Sequence, residues 1–194
     1  MKIETYIETY NPCYFSCLFL RQFETFEEAW EACHRGDWML SAARLLEVDF
    51  RTTTLAQGHC ANTVRHLMKD PRSTAAVDAA IAFGRGEVDI DKLRTFNYPA
   101  WCARHEAQLV FFPDATNCAN GAAFAAADAA YDAVCDVAPD EATADHASAA
   151  AAADAGNSCG AEAKNLKQTA DICREFLTKA VMERVDAIAK QKGE

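Results

Sequence analysis

The chain predicts an all-α fold: one domain over residues 1–194, an antiparallel array of about eight helices. Three observations predict it. Helix-capping side chains recur along the sequence, at Thr25, Asp49, Asp70 and Asp89. Between them, apolar residues return every three to four positions and do not alternate. From Cys118 to Ala163 about half of the residues are alanine, the best helix former.

Residues 1–24 are the least helical part. Ile3, Tyr6 and Ile7 with Thr5 and Thr9 have strand propensity, and Asn11-Pro12 marks a turn. The segment is expected to lie extended along the body, with a short N-terminal helix as the alternative. Thr25-Phe26-Glu27-Glu28 is a capping box that opens the first helix, with Phe26, Ala29, Trp30 and Cys33 on one face. Gly36 is expected to end it and Asp37 to cap a second helix, to about Leu46, that buries Trp38, Ala42 and Leu45. A third follows Asp49, from about Arg51 to Lys69, with Ala56, Cys60, Val64 and Leu67 inward. Asp70-Pro71 opens a fourth, to about Phe83, which Gly84 and Gly86 end. Asp89 caps a short fifth. In the alanine-rich stretch, Phe124 and Tyr131 are anchors seven residues apart, Pro139-Asp140-Glu141 opens the second helix and Gly156-Asn157 ends it. The last helix runs from about Gly160 to Lys190 on a stripe of Leu166, Ala170, Cys173, Leu177, Val181 and Ile188.

Composition restricts function. The net charge is −10 and the pI near 4.9. Phosphates would be repelled, so nucleic acid is not expected as a direct ligand, whereas a basic protein partner is permitted. Nine cysteines without a paired spacing framework, and no export signal at the N-terminus, point to reduced thiols in the cytoplasm. The apolar run Cys13–Leu20 is too short to span a bilayer.

Candidate chemistry is sparse. No CxxC pair, HExxH run or phosphate-binding loop occurs in the sequence, so no metal, cofactor or catalytic residue is expected. Cys102 and His105 lie three apart on a helix, without a recognisable orienting group. Asp37, Asp49, Asp70 and Asp89 stand at helix starts, where capping explains them. Asp49 with Arg51, and Asp70 with Arg72, are expected to tie neighbouring turns. Trp30 reads as core, and so does Trp38, with a half-exposed place at the helix start as its alternative.

One resemblance spans most of the chain after residue 25. Glu28-Ala29-Trp30-Glu31-Ala32-Cys33, Arg35-Gly36-Asp37-Trp38-Met39-Leu40, Asp49-Phe50-Arg51, Leu55-Ala56, His59-Cys60-Ala61 and Asp70-Pro71-Arg72 carry it. Ala82-Phe83-Gly84-Arg85-Gly86-Glu87 and Gln168-Thr169-Ala170-Asp171-Ile172-Cys173-Arg174 continue it. In order and spacing these resemble the immunity proteins of bacterial polymorphic-toxin systems, the fifth family so named. The resemblance implies a non-catalytic binder that neutralises a cognate toxin, for example a basic nuclease, by covering its active site. Glu27, Glu31, Trp38 and Glu47 are the candidate contacts. Two alternatives stand beside it. A helical ligand- or metal-binding protein would be lined by Cys33, His59, Cys60, Cys102 and His105. A scaffold would form a homodimer through its alanine-rich helices.

Overall fold

The computed structural model describes residues 1–111, 118–135, 140–154 and 159–193. The elements run α1 (Ile3–Tyr10), α2 (Tyr14–Leu20), α3 (Phe26–Ala32), α4 (Gly36–Leu45), α5 (Phe50–Asn62), a 3-10 turn (Arg65–Leu67) and α6 (Pro71–Gly84). Then follow α7 (Ile90–Arg94), α8 (Asn97–Phe111), α9 (Cys118–Asp132), α10 (Asp140–Asp154) and α11 (Cys159–Lys192). The fold is all-α. Among the described residues no strand occurs, and no helix is long and apolar enough to cross a membrane. The expected helix boundaries at Pro139 and at Gly156-Asn157 lie outside the described residues.

The helix starts follow the caps. The Thr25 hydroxyl accepts from Glu28 N–H at 3.3 Å while the Glu28 carboxylate accepts from Thr25 N–H at 3.2 Å. Asp49, Asp70 and Asp89 accept from the backbone N–H of Thr52, Arg72 and Lys92 at 3.0, 2.8 and 2.8 Å. Each satisfies a donor that the first helical turn leaves open.

The N-terminal segment is helical, not extended, and it raises the number of helices above eight. Ile3, Tyr6 and Ile7 are spaced i, i+3, i+4, so in α1 all three point into the core. That periodicity outweighs their strand propensity. Extended pairing survives only as a bridge between Lys2 and Thr25, where Ile3 N–H donates to Glu24 O and Phe26 N–H to Met1 O.

Three further expectations are corrected. Gly36 does not end a helix but begins α4, and Asp37 is not its N-cap: Arg35 holds that position without a side-chain cap. The glycine is required by a close approach. A Cβ there would stand 2.6 Å from the Thr169 Cβ of α11. The third helix does not reach Lys69. It stops at Asn62, where the Thr63 hydroxyl donates to Cys60 O at 2.7 Å and accepts from Asn165 Nδ2 at 3.0 Å. In α4 the buried face is Met39, Leu40 and Ala43, which meets α10 and α11. Trp38, Ala42 and Leu45 are half-buried and face a cavity instead.

Two core clusters result. The first gathers α1 to α4, Ala56 and Cys60 of α5, and α11 around Tyr6, Phe26, Trp30, Leu40, Leu46, Leu177 and Val181. The second gathers α6 to α10 around Val77, Phe83, Leu93, Val134 and buried alanines such as Ala126, Ala130 and Ala147. Helices α5 and α10 contribute to both.

Candidate functional site

The four N-terminal helices enclose a cavity of about 230 Å³. Its walls follow from amphipathic spacing. Phe26, Ala29, Trp30 and Cys33 are the inward face of α3, Tyr6 comes from α1, Phe19 and Leu20 from α2, and Trp38, Met39 and Ala42 from α4. The rings form two groups. Tyr6 and Phe26 have centroids 4.7 Å apart, Phe26 stacks on Trp30 at 6.1 Å, and Phe19 meets Trp38 at 5.7 Å. Trp30 is 3% exposed, and its indole N–H donates to the Thr178 hydroxyl at 2.9 Å, which anchors the wall to α11. Burial raises the Tyr6 phenol far above its ordinary value, so it stays protonated.

One charged pair sits at the cavity. Asp37 is 6% exposed, and Arg35 forks onto it, Nε at 3.1 Å and Nη2 at 2.6 Å. The guanidinium also lies over the Trp38 ring at 4.7 Å. The Asp37 bond raises the Arg35 pKa, with burial opposing it. On its exposed side α2 presents Tyr14 and Phe15, 71% and 69% exposed, and Leu18; Phe15 and Leu18 line a groove that shares Cys13, Phe19 and Trp38 with the cavity.

The residues expected to contact a partner are divided. Trp38 is half-buried and lines both the cavity and the neighbouring groove. Glu27 and Glu31 are exposed, one turn apart on α3. Glu47 is exposed but receives Arg184 Nη2 at 2.7 Å, while the same arginine donates through Nε to Leu46 O.

The polar motif residues are engaged in joints between helices. Asp49 caps α5. Arg51 does not pair with it as expected but reaches the end of α6, donating to Phe83 O and, at 3.4 Å, to Val88 O, with its guanidinium over the Phe83 ring. Arg72 binds Asp70 at 2.6 Å and Glu106 of α8 at 2.6 Å, so this pair ties α6 to α8 as well as its own turn. The Arg72 bond holds the Asp70 carboxyl below its ordinary value.

The alternative ligand set does not converge. Cys33, Cys60 and Cys173 are buried where α3, α4, α5 and α11 meet, and their thiols point at the carbonyls of Arg35, Thr169 and Gly36. Burial pushes the Cys33 and Cys173 thiols up, so they stay neutral. The His59 ring instead stacks on Phe176 at 4.5 Å, and burial lowers its pKa. Cys102 and His105 are on α8, where the His105 ring lies parallel to Trp101 at 5.3 Å, and Trp101 in turn stacks on Tyr98 at 6.0 Å. Among the described residues no three His, Cys, Asp or Glu side chains are placed to hold a metal ion.

Sequence reasoning missed a set of charges between α8, α9 and α10. Arg104 Nε donates to Asp128, and Asp132 is 2.6 Å from His146 Nδ1. Burial raises the Asp128 pKa, against the pull of His146 and Arg104. For His146 burial works against the proton, but the Asp132 bond and the charges of Asp132, Asp128 and Asp145 outweigh it, so its pKa is raised. The signal in the sequence was Asp128 and Asp132, four apart in a helix whose other inward residues are alanine. These four side chains pair with each other and line none of the cavities described here. They tie α8 to α9 and α9 to α10.

The chain matches no family model, no curated protein and no solved structure.

Proposed function

We propose that the protein neutralises a cognate bacterial toxin in the cytoplasm by binding over the toxin's active site, with no chemistry of its own. The observation that carries this reading is how the polar residues are used. Asp37, Asp49, Arg51, Asp70 and Arg72, five charged residues of the resembling segments, bind backbone groups or neighbouring charged side chains at helix starts and joints. Large apolar side chains, by contrast, stand in solvent on α2 and α8. A surface of this kind recognises a protein, since exposed aromatic anchors supply most of the energy of such contacts. The net charge of −10 supports it further, because an acidic inhibitor is steered towards a basic cleft.

The alternative scaffold relied on alanine faces pairing between chains. Ala126, Ala129, Ala130, Ala147 and Ala150 are buried within the chain itself. The test is co-expression with the toxin encoded beside the gene. Survival of the host is expected with this protein, and death in its presence, with rescue by another neighbouring gene, would end the proposal.

A further inference from the structure

We propose that the α1–α4 cavity is an insertion point: it takes an apolar or aromatic side chain that the toxin carries on a basic surface. This rests on the neutralisation reading and names its contact face.

Size is the first argument. A dry cavity of about 150 Å³ is enough for a benzene ring. The space here, about 230 Å³, accommodates a phenylalanine, leucine or tryptophan side chain. Chemistry is the second. Phe19, Phe26, Trp30, Trp38 and Met39 present ring faces and a polarisable sulfur, which suit an apolar insert. The charge beside them is internally balanced, because Asp37 is held by Arg35.

Continuity with the surface is the third argument. Phe19 touches Trp38 inside, while Tyr14, Phe15 and Leu18 of the same helix stand outside. A cavity that shares Cys13, Phe19 and Trp38 with a groove lined by the exposed Phe15 and Leu18 has the layout of a binding hot spot, where a few buried side chains dominate affinity. The rings on α8 differ. Tyr98, Trp101 and His105 stack on one another, and the cavity beside α8 is lined by Ala103, Glu106, Ala107 and Val110 and not by these rings.

Charge identifies the partner. Residues 1–31 hold six glutamates against one lysine and one arginine. On α1 and α3, the helices either side of α2 in the chain, Glu4, Glu8, Glu27 and Glu31 are exposed. An apolar insert flanked by lysine or arginine is complementary to the acids exposed on these two cavity-walling helices, and a flanking acid is not.

The test measures binding of the full chain to the purified toxin domain encoded beside it. The combined variant Tyr14→Ala, Phe15→Ala, Leu18→Ala removes three exposed side chains, so it should melt with the wild type. Its affinity should fall about 100-fold or more, with loss of protection in co-expression. Ser41→Phe fills the cavity from α4 and should weaken binding at least about tenfold. A wild-type affinity in either variant overturns the inference and leaves the neutralisation reading standing. A wild-type chain that neither binds nor protects ends that reading itself.

Discussion

The half of the molecule packed on α11 and the half packed on α9 exclude water in different ways. Around α11 the core is made of large side chains: Tyr6, Trp30, Leu40, Leu46 and Leu177 are all nearly or fully buried. Around α9 it is made of alanines, with Val134 and Leu93 among the few larger residues. Each carbon removed from water contributes about 0.8 kcal/mol, so a leucine contributes far more than an alanine. Alanine helices compensate by approaching closely, which increases contact along the backbone. They also leave room for polar groups. Asp128, Asp132, Thr143 and Ser148 are buried in the alanine-rich half. The half that hosts the cavity is therefore strong in burial, and the other half depends on fit and on charge pairing.

Deletion should break the first half most severely. Leu177 is fully buried in α11 against the N-terminal helices. Leu177→Ala is expected to cost about 3–5 kcal/mol, read as a lower urea midpoint at unchanged slope. A loss below about 1 kcal/mol would mean that this half collapses around the gap and that large side chains do not hold it.

Insertion should damage the second half instead. Ala130 is fully buried between helices that meet through small residues. Ala130→Leu is expected to cost about 1–3 kcal/mol in the same measurement. A neutral or stabilising result would show slack in the alanine core and remove the distinction between the halves.

The comparison also shows what the sequence made legible. Caps are local, one side chain and a backbone donor two or three residues on, so Thr25, Asp49, Asp70 and Asp89 could be assigned from spacing alone. The stripe Leu166 to Val181 was legible for the same reason. Gly36 was misread because its role is set by Thr169, which is 133 positions away in the chain. Arg51 was assigned to its neighbour Asp49, but its partners are carbonyls at the end of another helix. The cavity was hidden for a related reason. Its walls come from four helices, and the face of α4 that lines it reads as an ordinary core stripe. Trp38 was assigned to the buried face, yet it is half-buried against Phe19, and nothing local shows that contact.

The smallest predicted effect distinguishes the halves by pH. His146 belongs to the alanine-rich half, and Asp128 and Asp132 of α9, Asp145 of α10 and Arg104 of α8 surround it. Its pKa is raised above 6.5. The folded state thus binds the proton more tightly, and this stability is complete below about pH 6.5 and lost as pH rises through the folded value. Asp128, also raised, acts in the same direction at lower pH. His59 belongs to the other half, stacked on Phe176 with its pKa lowered by burial. Its sign is opposite: the contribution is complete above about pH 6.5 and lost as pH falls from there towards the folded value. Melting temperatures of the wild type, His146→Gln and His59→Gln between pH 5.5 and 8 isolate the two terms, since all other groups cancel in the differences. The stabilising effect of His146 should shrink with rising pH and that of His59 should grow. Each change should be less than about 2 °C, because both rings are partly exposed and solvent screens their charge. Equal signs for the two histidines would mean that the Asp132 contact does not hold the His146 proton. The alanine-rich half would then depend on fit and on the Arg104–Asp128 pair.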